Sequence, residues 1–153
     1  MGHQPRKEGK KVGEKATWAV FGALVGVFVI IAGVVSIPAV RELLMGFVFI
    51  MTSGAIFFLL GVALIVLAVK WVRGRKLKKY LITTGAAAAG FLVSILAHNA
   101  IYGLLVHFSG VDFGGGAGVG DEPFFFALAI FVCPVAFLVG TVGSIVLAIK
   151  ESR

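Results

Sequence analysis

The side chains with the widest chemical range in this sequence fall within one short stretch: His98, Asn99, Tyr102 and His107. An imidazole can carry a proton or bind a metal, and the amide and phenol add donors and acceptors. Asp112, Asp121 and Glu122 follow, and no Lys or Arg intervenes before Phe124. His98, Asn99, Tyr102, His107, Asp121 and Glu122 are therefore the candidate ligand or partner contacts. As a polar, net-acidic locus they would suit a cation, a quinone-like headgroup or a basic segment of another protein. The plainer use of the same residues is structural: His98 and Asn99 bonding between helices, Tyr102 and His107 anchoring an interface, and the acids solvating a loop.

Specific chemistries can be tested against the spacing. A haem held between helices needs histidines that converge, but His98 and His107 are nine residues apart on one helix. At about 100° per residue they face opposite ways. Zinc would need three or four convergent ligands, which these residues supply only if the following loop folds back. Residues 116–120 (Gly-Ala-Gly-Val-Gly) lack the Gly-Lys-Ser/Thr of a phosphate loop, and no Gly-x-Ser-x-Gly nucleophile turn is present. The single cysteine, Cys133, excludes an internal disulfide and a Cys-x-x-Cys redox pair. Proton exchange on an intramembrane carboxylate is also disfavoured, because all seven acids lie in connections or tails. The expectation is a protein that is not an enzyme, with no catalytic residue, no metal and no cofactor.

Four stretches must position these groups: residues 16–37, 43–69, 80–108 and 124–149, none of which contains Asp, Glu, Lys or Arg. Each exceeds the roughly 20 apolar residues a helix needs to cross about 30 Å of hydrocarbon. With 59% hydrophobic residues among 153, little remains for a water-soluble domain. The expected fold is an all-α integral membrane protein, a four-transmembrane-helix bundle, with the lipid bilayer as its first partner. The first stretch reads as a retained helix, since it is too long for a signal-peptide core and Ser36-Ile37-Pro38-Ala39 is a poor cleavage site.

Charge sets the orientation. Thirteen of the fourteen Lys and Arg residues lie in the N-terminal arm, the middle connection or the tail, and Arg41 is the exception. Positive charge resists translocation, so both termini are expected to be cytoplasmic, in the cytoplasmic (plasma) membrane. Trp18, Trp71 and Tyr80 fall at the same interface, where amphipathic rings favour the headgroup region. The net charge of +7 is thereby explained by topology, with additional attraction for anionic lipid, and nucleic acid is not an expected partner.

Residues 1–15 are expected to be a flexible basic cytoplasmic arm, 16–150 the four-helix domain and 151–153 a tail. The connection at 109–123 contains six glycines and is expected to be mobile. Residues 62–70 match 142–150 at six of nine positions, a constant offset of 80 that hints at a duplicated hairpin. Within lipid, small residues permit close helix approach, which assigns Gly22, Gly26, Gly90, Ser94, Gly140 and Ser144 to helix packing. Pro134 should free the Ile130 carbonyl and bend the last helix. The most economical function is a non-catalytic accessory or interaction subunit of a membrane complex, joined to a second copy or to a larger membrane protein. The alternative is a small oligomeric transporter or channel with its polar site near the outer leaflet.

Overall fold

The computed structural model describes residues 5–38, 47–109 and 123–152. The chain forms α1 (Pro5–Ser36), α2 (Phe47–Trp71) and α3 (Arg75–Ser109). A last span follows, composed of α4 (Pro123–Ala127), a π-helical turn (Leu128–Val132) and α5 (Cys133–Ser152). Four helices are long and apolar enough to cross a membrane: Gly9–Ser36, Met51–Trp71, Arg75–Ile101 and Leu128–Glu151. Consecutive spans pack side by side, whereas the backbones of α1 and α5 approach each other far less closely.

The helices run past the limits that hydropathy suggests. α1 begins at Pro5, so residues 5–15, expected as a flexible arm, form its first turns. Proline suits the first helical position, and the Lys and Glu that follow are good helix formers. Contact with the bundle holds the extension in place, because Gly13 is buried directly against the Trp71 ring. At 32 residues α1 is about 48 Å long, well beyond a hydrocarbon core of about 30 Å. α3 likewise starts at Arg75, leaving Val72, Arg73 and Gly74 as the whole turn between α2 and α3. The connections at 39–46 and 110–122, including Arg41, lie outside the described residues.

Glycines decide where two backbones touch. A β-carbon at Gly61 would sit 2.7 Å from the Gly85 carbonyl oxygen, and one at Gly85 would sit 2.6 Å from that of Gly61. α2 and α3 therefore cross at this pair, a distance open only to residues without side chains. α5 meets α3 at Gly140, where a β-carbon would lie 2.8 Å from the Thr84 nitrogen and 3.0 Å from the Tyr80 oxygen.

The centre of the bundle is aromatic. Phe28, Phe57, Phe91 and Phe137 contribute one ring from each span, with centroids 4.5 Å apart for Phe28 and Phe137 and 5.4 Å for Phe57 and Phe137. Phe57 also stacks on Phe28 at 6.3 Å and meets Phe91 edge-on at 6.5 Å. Phe57 and Phe137 are themselves 80 residues apart, so the offset seen in the sequence extends into the core. Away from this centre, large apolar side chains such as Ile30, Leu59, Phe131 and Val142 face outward, which suits lipid far better than water.

Where a bend is expected before Pro134, the structure shows a π turn. Without an amide hydrogen the proline cannot bond to Ile130, and its ring crowds that carbonyl. The helix widens instead, and the Cys133 N–H reaches back five residues to the Leu128 carbonyl.

Candidate functional site

Hydroxyl and amide groups inside an apolar helix must find partners without water, and the nearest is the carbonyl one turn back. Several of the described side chains take that route. Thr17, Ser36, Thr83 and Thr84 donate to Gly13, Ala32, Lys79 and Tyr80 at 2.7 to 3.0 Å. Asn99 donates its amide to the Ile95 carbonyl at 2.8 Å.

That bond defines the polar locus of α3. Asn99 is exposed on the outer surface and engaged with its own helix, while His98 is half-buried and also engaged. His107 is exposed, its ring edge-on to Phe108 at 5.6 Å. Tyr102 is in the same helix, and Asp121 and Glu122 lie outside the described residues. Among the described residues, no group of three or more His, Cys, Asp or Glu is placed to hold a metal ion.

The small residues divide between two environments. Ser94 is buried with the Cys133 thiol as a hydrogen-bonding neighbour, and a β-carbon at Gly90 would lie 3.6 Å from the same sulfur. Gly140 and Ser144 are buried on α5. Gly22 and Gly26 are exposed on α1, with nothing within 4 Å of a β-carbon at either position. Gly61 appears in the sequence as one of several evenly spaced small residues; Gly85, its partner across the crossing, carries no motif that would single it out.

Two hollows among the described residues bear on the site. One, of about 380 Å³, lies between α1 and the π turn and is walled by the four central phenylalanines with Val35, Ile130, Cys133 and Pro134 among its neighbours. It lies where α1 approaches α5 loosely, beside the π turn before Pro134. Ser36 is at its rim with the hydroxyl already bonded to Ala32, so the lining offers a ligand almost nothing but hydrocarbon.

The other, of about 180 Å³, lies at the basic end and draws on every span: Lys10, Glu14 and Trp18 from α1, Trp71 from α2, Arg73 and Gly74 from the turn, Leu77 from α3 and Glu151 from α5. Lys10, Glu14 and Trp18 recur every fourth residue, which stacks them on one helix face. Glu151 reaches over the turn, its Oε1 being 3.2 Å from where a Gly74 β-carbon would sit. This constellation was missed by reading the lysines as topology signals alone; the four-residue spacing in α1 was the available clue. No protein-family model, no curated protein and no solved structure matches this chain.

Proposed function

We propose that this chain is a non-catalytic accessory or interaction subunit of a membrane complex, inserted in the cytoplasmic membrane with both termini inside. The observation that carries this reading is the apolar centre: one phenylalanine from each span meets there, and the hollow beside those rings offers a solute almost nothing but hydrocarbon. A polar path has no place in that core, and Asn99 and His107 lie on the outside. The uncovered Gly22 and Gly26 supply a surface where another helix can approach closely, whether from a second copy or from a larger protein. The orientation rests on the Lys and Arg excess at one end.

The test is recovery of a stoichiometric partner after crosslinking in membranes and purification in mild detergent. Replacing Gly22 and Gly26 together by Leu should remove the partner and leave the chain folded. Purified protein in liposomes should be silent towards ions and small cations. Solute flux that disappears in His98→Ala would replace this reading with the transporter. Terminal tags that label from outside intact cells would reverse the orientation.

A further inference from the structure

The pocket at the basic end is chemically unlike its surroundings. Outside it, Lys11, Lys15, Lys70, Arg75, Lys76, Lys78, Lys79 and Lys150 outweigh Glu8 and make that end strongly positive. Inside it, two cations, Lys10 and Arg73, are matched by two carboxylates, Glu14 and Glu151, beside the indoles of Trp18 and Trp71. Among the described residues, no ion pair joins these four charges to one another. They are gathered in one place.

An anionic lipid needs no such pocket, since the surrounding lysines already attract it and the interior would set two carboxylates against it. A ligand with a phosphodiester and an ammonium a few bonds apart matches the whole set. Guanidinium and ammonium groups hold phosphate through charge-assisted hydrogen bonds. Carboxylates and indole faces together favour a cationic nitrogen. The pocket also lies where the uncharged stretches of α1 and α2 meet charged chain, at residues 16 and 69. Its apolar wall, Val72 and Leu77, belongs to the buried core of the bundle.

We propose that this pocket binds the headgroup of a zwitterionic phospholipid, with Lys10 and Arg73 receiving the phosphate and Glu14, Glu151 and the two indoles receiving the ammonium. The inference rests on membrane insertion but on neither the accessory nor the transporter role. Trp18 and Trp71 are the only two tryptophans in the chain, so indole emission reports directly on the pocket.

The experiment places the full chain in nanodiscs of phosphatidylglycerol, alone or mixed with phosphatidylethanolamine or phosphatidylcholine of the same acyl chains. Tryptophan emission and the lipids retained in native mass spectrometry are read together. Stable incorporation into all three tests insertion, separately from headgroup choice. A saturable emission shift and one retained ammonium lipid, in either mixture, support the site. Glu14→Gln with Glu151→Gln should weaken that retention about tenfold, roughly the loss of one charge-assisted contact. The same pair should turn the preference towards phosphatidylglycerol. Lys10→Gln with Arg73→Gln should reduce retention of the zwitterionic lipids, and Lys11→Gln, just outside the pocket, should not. Equal emission and retention for phosphatidylglycerol and the zwitterionic lipids would overturn the proposal, as would unchanged retention in both double variants. Full competition by water-soluble glycerophosphoethanolamine would overturn the lipid as the source.

Discussion

The rings of Phe28 and Phe137 stack with centroids 4.5 Å apart and planes 29° from parallel, joining the first span to the last where their backbones barely meet. In lipid, apolar burial gives no preference for one neighbour over another, so contacts of this kind must supply the specificity that closes a bundle. Phe137 is 2% exposed and touches Phe57 as well. Phe137→Ala should therefore cost about 3 to 5 kcal/mol, measured as loss of the folded state in a denaturing-detergent titration. Phe28→Ala should cost less, because that ring is half-buried against the cavity.

The glycines of α1 and α3 should respond in opposite ways. Gly85→Leu places a side chain into the Gly61 backbone and should destabilise by at least about 3 kcal/mol, since neither helix can yield without parting from the other. Gly22→Leu meets open space and should leave thermal stability in detergent unchanged within about 0.5 kcal/mol. A large loss of stability in the isolated chain carrying Gly22→Leu would mean that α1 is rotated from the placement described.

Ser144 offers a stabilising substitution. Its hydroxyl is fully buried and lacks a hydrogen-bond partner among the described residues. Removing an unsatisfied polar atom recovers its desolvation cost, so Ser144→Ala should raise stability by about 1 kcal/mol, visible as a higher melting temperature. Thr84→Ala should not do so, because the Thr84 hydroxyl is bonded to the Tyr80 carbonyl and faces Gly140 where α3 meets α5.

Gly13 tests the extension of α1. A leucine there overlaps the Trp71 ring, so Gly13→Leu should change tryptophan emission and expose the segment before Thr17 to proteolysis. Gly9→Leu, four residues earlier with nothing within 4 Å, should do neither. Identical proteolysis of the two variants would place residues 5–15 away from the bundle.

The four helices long and apolar enough to cross a membrane were legible because that property is written in composition: a stretch without charges and of sufficient length needs no partner to identify it. Helix ends were harder, and Pro5 shows why. Hydropathy marks the part of a helix suited to lipid, whereas the helix continues wherever good helix formers meet a supporting contact, here Gly13 against Trp71. Pro134 was readable as a distortion, since a missing amide hydrogen has the same consequence in any helix. Its form, a π turn, depended on what α3 and the cavity left room for.

Alone, the sequence determined that four uncharged helices exist, that nearly all of their basic charge lies at one end, and that the polar atoms of α3 sit towards the other. Each follows from covalent composition and helix geometry. Only the tertiary structure decided which face of each helix turns inward, because core and lipid are equally apolar and the pattern of side chains carries almost no contrast between them. That choice set Gly85 against Gly61, left Gly22 uncovered, gathered four phenylalanines on the axis, and brought Glu151 beside Lys10 and Arg73 from opposite ends of the chain.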